Sequence, residues 1–159
     1  MTGTVSQRQG RRRYRILSDG RLGIAPGSLK RAQDRIRFIT KRNRGISFER
    51  MIAELNRFLT GWAAYFRYAC AKSAMRSPDG WVRRKLRCVR LKQRKRAKPI
   101  AGFLMKEGVP KWRAWTTAAA GKGWWRMSGT PAAQEAMTVA WFKEMGLVNL
   151  TERFDALKA

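Results

Sequence analysis

One segment of the chain keeps a helical apolar period for about six turns, and it restricts the fold more than any other feature. Between Phe48 and Ala69, apolar residues recur at spacings of three and four, the period of one face of an α-helix. Ser47 is a good N-cap for this helix, and Glu49 lies in the first turn, where the helix dipole stabilises a carboxylate. Gly61 lowers helix propensity, which predicts a close approach of another element there. An apolar face this wide indicates contact with more than one neighbour.

Two further helices are predicted on either side of this segment. The first follows Pro26-Gly27, with Ser28 as its N-cap, and ends at Asn43-Arg44-Gly45, where Gly45 can adopt a positive φ. The other begins near Ser77-Pro78-Asp79, with the proline in its first turn. The inward stripes are predicted to consist of Leu29, Ala32, Ile36 and Ile39 in the first helix, and of Trp81, Val82, Leu86 and Val89 in the other.

The two ends of the chain complete a mainly α prediction. Residues 14–24 alternate around Asp19-Gly20, which predicts a β-hairpin whose short strands need support from another element. The C-terminal part is predicted to contain short helical pieces, with Thr130-Pro131 as one helix start. The expected fold is therefore a three-helix bundle with a small N-terminal β-hairpin and a C-terminal helical appendage. The predicted divisions are a disordered basic tail at 1–13, a domain at 14–98 and a helical subdomain at 99–159, with helical pieces near 100–107, 110–120 and 131–145.

Charge is concentrated in the first part of the chain. The 36 basic and 10 acidic residues give a formal net charge of +26. Residues 1–100 contain 28 basic and 5 acidic side chains, a net of +23, whereas residues 101–159 contain 8 and 5, a net of +3. Self-repulsion of this size destabilises a compact state unless a polyanion neutralises it. The seven Trp and seven Phe predict a packed core, which a disordered basic tail would lack.

Two groups of basic residues are the candidates for phosphate contact. The segment 83–98 has ten basic residues in sixteen, and an advance of about 100° per residue turns most of its arginines away from the apolar stripe. The predominance of arginine favours bidentate phosphate contacts. Trp62, Tyr65 and Phe66 are predicted to be core residues instead. The predicted RNA-contacting residues are Arg31, Arg35, Lys41, Arg42 and Arg44 on the first helix and its exit, and Arg83, Arg84, Arg87, Arg90, Arg94 and Lys95 on the third helix.

Several classes of function are excluded by the residues themselves. The absence of histidine excludes His-containing zinc sites, histidine general bases and a Ser-His nucleophile at Ser128, and two cysteines cannot form a zinc knuckle. No Asp-Asp pair suits two-metal phosphoryl transfer, and no Walker A spacing occurs. We therefore predict no catalytic residue, metal or cofactor. The chain also has no membrane-span pattern and no signal peptide, so the expected location is cytoplasmic, without a membrane partner.

Particular motifs add a resemblance. The segment LNRFLTGWAAYFRYA (55–69) followed by DGWVRRKLRCVRLKQRKR (79–96) resembles the maturase-specific thumb domain of group II intron-encoded reverse transcriptases. The preceding 19–49 is similar to the segment that leads into this thumb. GKGWWRMSGTPAAQEAM (121–137) and AWFKEMGLVNLTERF (140–154) resemble the C-terminal end of bacterial members that lack an endonuclease domain. The resemblance covers about 14–157.

The resemblance implies a three-helix thumb and a partner, group II intron RNA, whose folding and splicing the protein assists. The family's fingers and palm, with their catalytic aspartates, have no counterpart in this sequence, so the chain is expected to act without catalysis, as the C-terminal piece of such a protein. Ala64 stands where members often carry Asn. Two alternatives stay open: the thumb of a split reverse transcriptase that works with a separate palm polypeptide, and a general basic nucleic-acid-binding protein.

Overall fold

The computed structural model describes residues 13–70 and 72–159 and confirms the mainly α prediction. The predicted basic tail at 1–13 lies outside the described residues except for Arg13, and the division at 98 and 99 stays a prediction. One hydrophobic core includes residues from the hairpin to the last helix. The elements are β1 (Tyr14–Ile16), β2 (Leu22–Ile24), α1 (Pro26–Ile39), α2 (Phe48–Tyr65), α3 (Lys72–Arg94), α4 (Ala97–Lys106), α5 (Lys111–Ala119), α6 (Trp124–Met127), α7 (Pro131–Ala136), α8 (Val139–Glu144) and α9 (Leu150–Lys158).

The N-terminal hairpin leans on the end of α2, as its short strands require. The strands are antiparallel, with Tyr14 opposite Ile24, and Gly20 takes a φ of +78° in the turn. The Tyr14 hydroxyl donates to the Tyr65 carbonyl at 2.6 Å, and the Tyr14 ring packs on Phe66 with 5.2 Å between ring centroids. These contacts, rather than the two three-residue strands, fix the hairpin on the body.

Helix α2 forms where its apolar period predicts, with two differences at its C-terminal end. The Arg50 amide donates to Ser47 Oγ at 3.2 Å, which confirms the predicted N-cap. The close approach predicted at Gly61 is wrong, because a Cβ added there would meet nothing within 4 Å. The prediction of three core aromatics holds fully only for Phe66: Trp62 is half-buried and Tyr65 is 44% exposed. Part of the aromatic face at this end of α2 is therefore exposed.

The boundaries of α1 and α3 differ from the predicted ones. Ala25 is the N-cap of α1, and Ser28 is buried inside the helix. Helix α1 ends at Ile39, where the following Thr40 bonds back to the helix, well before Gly45. Helix α3 begins at Lys72, so Pro78 lies within it rather than in its first turn. Proline removes one backbone hydrogen bond there, and the packing of the long helix outweighs that loss.

The C-terminal part contributes directly to the core. Its last helix, α9, contacts both α2 and α3. The buried Asp79 of α3 accepts hydrogen bonds from the amides of Leu150 and Thr151, both at 2.9 Å, and so caps α9. Asn56 of α2 holds the preceding loop, donating to the Gly146 carbonyl at 2.6 Å and accepting from the Val148 amide at 2.8 Å. The sequence reasoning did not predict α9 as a bridge between the two helices.

The predicted helix at 131–145 is wrong, because the chain breaks it into α7 and α8. Thr130 caps α7 as predicted, with the Ala133 amide at 3.3 Å from its Oγ1. Thr138 then caps α8 through the Trp141 amide, which places a helix start inside the expected helix. Local hydrogen bonding by a threonine side chain here competes with helix continuation.

Candidate nucleic-acid interface

Arg87 on α3 is half-buried and makes its hydrogen bonds to the protein backbone. Its Nε and Nη2 both donate to the Met137 carbonyl, at 3.0 and 2.8 Å. The guanidinium also lies over the Phe142 ring, 5.5 Å from its centroid. Burial lowers the pKa of Arg87, although an arginine remains charged throughout the ordinary pH range. This side chain therefore connects α3 to the loop between α7 and α8.

Three other arginines of α3 lie over aromatic rings. The guanidinium of Arg84 lies 4.1 Å from the Trp125 centroid, and that of Arg94 lies 4.8 Å from the Phe103 centroid. The guanidinium of Arg90 lies over the rings of both Phe103 and Phe48, the latter in α2. Burial lowers the pKa of Arg90. Turning away from the apolar stripe does not leave these arginines in open solvent, because α4, α6 and α9 all contact α3. Whether they also contact RNA stays a prediction.

A second set of basic residues converges on a cleft between the α1–α2 loop and the end of α3. We call it the cationic cleft and define it by Lys41, Arg42, Arg44, Lys92 and Lys95, which line a cavity of about 170 Å³. Four of the predicted residues therefore come together here, and the fifth, Lys92, was missed. Its position one turn before Lys95 was the signal that could have identified it.

Within the cationic cleft, Arg44 is held by protein groups. It donates to the Ile39 carbonyl at 2.9 Å and to Glu54 at 2.7 Å, and this hydrogen bond lowers the pKa of the Glu54 carboxyl. Lys92 Nζ donates to Asn43 Oδ1 at 2.9 Å, a neutral acceptor. Arg44 therefore forms one rigid wall of the cleft, with its charge compensated.

The remaining cations of the cleft lack such compensation. Across residues 13–70 and 72–159, no carboxylate forms an ion pair with Lys41, Arg42, Lys92 or Lys95. Arg42 donates to the sulfur of the buried Cys88, at 3.7 Å. Four positive charges thus face one concavity, where a bound anion would relieve their mutual repulsion.

Backbone strain occurs at the same place. Lys95 has a φ of +64° just past the end of α3, a position at which glycine is the usual residue. Gly45, across the cleft, takes almost the same φ of +65° without that cost. A side chain with a Cβ is disfavoured in this conformation by roughly 1–2 kcal/mol. The fold therefore keeps a lysine where a glycine would be more stable.

The other predicted residues lie apart from the cleft. Arg31 and Arg35 are exposed on the outer face of α1, and Arg31 donates to Ser28 Oγ at 2.8 Å. Arg35 lies over the Phe38 ring, which is itself 55% exposed. Arg83 is half-buried beside the start of α9. The α1 residues extend a basic surface along the helix, whereas Arg83 is separated from it.

The described part of the chain offers neither a metal centre nor a membrane span. It contains no cluster of three His, Cys, Asp or Glu side chains that could hold a metal ion. None of the helices within it is long and apolar enough to cross a bilayer.

Comparison with known families agrees with the resemblance noted from the motifs. The group II intron, maturase-specific domain family matches residues 29–108, a range that includes most of α1, all of α2, α3 and α4, and the whole cationic cleft. A comparison with curated proteins finds no match. The matched family is a maturase-specific domain rather than a catalytic one. Because the match covers half of the sequence, the chain belongs to the group II intron maturase-specific domain family.

Proposed function

We propose that this chain binds structured RNA as the maturase part of a group II intron protein and assists the folding and splicing of the intron RNA. One observation carries the proposal: one cleft inside the matched domain is lined by four basic side chains that have no carboxylate partner among the described residues. RNA phosphates supply the negative charge that the cleft lacks, and binding releases the counterions condensed on the RNA.

The shape of the cleft supports this assignment. Its floor includes the apolar Ile46, Met51 and Val89, which lower the local dielectric relative to an open surface. Charge-assisted hydrogen bonds to phosphate are stronger in such a setting than in bulk water. The exposed Arg31 and Arg35 continue the basic surface along α1. A folded RNA backbone could therefore lie in the cleft and along this helix.

Assistance to splicing follows from selective binding. A protein that binds the active RNA conformation better than the others raises the population of that conformation by its difference in affinity. The RNA then supplies the chemistry of splicing, and the protein needs neither a catalytic residue nor a cofactor. The quantity to measure is therefore the dependence of affinity on RNA structure.

The test compares two triple variants. The cleft variant removes three charges from the cationic cleft through Lys41→Gln, Arg42→Gln and Lys95→Gln. The control variant removes the same charge from exposed positions outside the cleft through Lys106→Gln, Lys111→Gln and Arg153→Gln. Affinity for a group II intron transcript is measured as a function of salt. The cleft variant should lower the slope of log K against log salt by about 2–3, because each phosphate contact contributes somewhat less than one. The control variant should change the slope by less than one.

Two outcomes would contradict the proposal. Equal losses in both variants would mean that only net charge matters, as expected of a general basic nucleic-acid-binding protein. Equal competition by an unstructured RNA of the same length would lead to the same conclusion. Stimulation of splicing by the wild-type chain, and not by the cleft variant, would connect binding to function.

A further inference from the structure

A second concavity lies at the opposite end of α1 and α2 from the cationic cleft. Four aromatic residues of α2 and its C-terminal end, Phe58, Trp62, Tyr65 and Phe66, form its walls, and Arg13 and Arg31 stand beside them. We call it the aromatic pocket. Its volume is about 240 Å³, below the roughly 300–1,000 Å³ of pockets that enclose a drug-sized ligand. It therefore has room for a single ring system.

The aromatic walls are held in a fixed arrangement. The rings of Trp62 and Phe66 are 5.0 Å apart between centroids, and those of Tyr65 and Phe66 are 4.8 Å apart in an edge-to-face arrangement. The Tyr65 hydroxyl accepts a hydrogen bond from Arg13 at 2.8 Å, which fixes that ring at the rim. The pocket thus presents ring faces and edges to whatever enters.

The charge at the rim selects the ligand. Among the described residues that line the pocket, Arg13 and Arg31 bring guanidinium groups and none brings a carboxylate. Arg31 uses one nitrogen on Ser28 Oγ, so its other donors are available for an anion. A ligand with a flat ring and an adjacent negative charge can stack on the aromatic walls and pair with the arginines at the rim. An unpaired nucleotide has this chemistry, since its base can stack on aromatic rings while its phosphate meets an arginine.

We propose that the aromatic pocket binds one unpaired base of RNA, with the attached phosphate at Arg13 and Arg31. The proposal rests on the proposed function, because it gives the RNA held by the cationic cleft a second anchor. Arg31 lies roughly 12 Å along α1 from Ile39, the last residue of the helix, at 1.5 Å per residue. The exposed Arg35 lies between the two sites. An RNA with a bulged or looped-out base is therefore the preferred ligand.

The first experiment uses a short single-stranded RNA with one 2-aminopurine, whose fluorescence falls when the base stacks. Tyr65→Ala removes a ring of the pocket, and Tyr68→Ala removes an aromatic side chain that is 68% exposed and outside the pocket. Quenching should persist in Tyr68→Ala. In Tyr65→Ala the affinity should fall about fivefold or more, the loss of one base stack. Equal quenching in both variants would overturn the proposal.

A second pair of variants avoids any change in the packed rings. Arg31→Gln removes charge from the rim, and Arg57→Gln removes an exposed arginine of α2 that does not line the pocket. Only Arg31→Gln should weaken the binding of the 2-aminopurine RNA. The same loss in both would overturn the proposal, even if Tyr65→Ala failed to fold.

The cleft variant distinguishes this proposal from the proposed function. In one result, the cleft variant loses intron binding while Tyr65→Ala and Arg31→Gln leave quenching unchanged. That result overturns only the proposal that the aromatic pocket binds a base. The opposite result is that Tyr65→Ala and Arg31→Gln reduce quenching while the cleft variant binds the intron transcript as tightly as wild type. That result supports the pocket and overturns the proposed function.

Discussion

Lys41 and Arg42, at the exit of α1, and Arg84 and Arg87, on α3, look equivalent in the sequence, yet they have different surroundings. Lys41 and Arg42 line the cationic cleft, where no carboxylate of the described residues pairs with them, whereas Arg84 and Arg87 lie against an aromatic ring and a backbone carbonyl. The difference comes from position in the fold: α1 is covered on one side, and α3 is contacted by α4, α6 and α9. The density of arginine along a helix therefore does not determine whether its charge is directed outward.

The largest effect expected from this comparison is a loss of stability on α3. Arg87→Ala removes both hydrogen bonds to the Met137 carbonyl and should lower the free energy of unfolding by roughly 2–3 kcal/mol, the range for bonds that involve a charged group. Arg57→Ala, an exposed arginine on α2, should cost within about 0.5 kcal/mol. Urea denaturation followed by far-UV circular dichroism measures both. Similar losses in the two variants would show that the α3 face is not an internal surface.

The next effect has opposite signs for stability and binding. Lys95→Gly relieves the positive φ and should raise the free energy of unfolding by about 1 kcal/mol, while it removes one cation from the cationic cleft. Lys95→Ala keeps the strained backbone, so it should weaken RNA binding equally without any gain in stability. Thermal unfolding and a salt titration of binding give the two readings. A Lys95→Gly variant with unchanged affinity would remove Lys95 from the interface.

A smaller effect concerns the pairing of arginine with tryptophan. A double-mutant cycle of Arg84→Gln and Trp125→Leu should give a coupling energy of about 0.5–1 kcal/mol, since the guanidinium lies 4.1 Å from the ring centroid. The matched pair Arg113 and Trp112 is 5.3 Å apart, and Trp112 is 68% exposed, so its coupling should be smaller. Equal coupling in both cycles would mean that the α3 contact is no more than a surface contact.

The smallest effect concerns Arg44, the residue of the cationic cleft whose charge is compensated by Glu54. Arg44 lowers the pKa of Glu54 below its ordinary value of 4.5, so the pair contributes stability that is fully present above that pH. This contribution is lost as pH falls through the lower pKa of the folded state. The difference in melting temperature between wild type and Glu54→Gln should be constant from pH 7 to about 5.5 and shrink below 4.5. Glu144→Gln, which also removes one negative charge, should show no such change.

Local signals in the sequence predicted the elements well where a cap or turn lies within a few residues. Ser47, Thr130 and Gly20 behave as predicted, because each acts on its own neighbourhood. Ser28 and Pro78 do not, since the packing of a longer helix outweighs the local preference of one residue. The helix break at Thr138 was not predicted, because the surrounding residues have a helical pattern. The threonine side chain caps a new helix there by accepting a hydrogen bond from the Trp141 amide.

By itself, the sequence determined the mainly α class, the long apolar face of α2 and the family, because these depend on residue type and spacing along the chain. The tertiary structure decided which basic residues meet. The cationic cleft joins Lys41 to Lys95 across more than fifty residues, and Asp79 reaches α9 from α3. A side chain's surroundings depend on elements that are distant in sequence, and no period along one helix encodes them. Two helices with similar arginine content therefore place their arginines in different surroundings, because α4, α6 and α9 pack against α3.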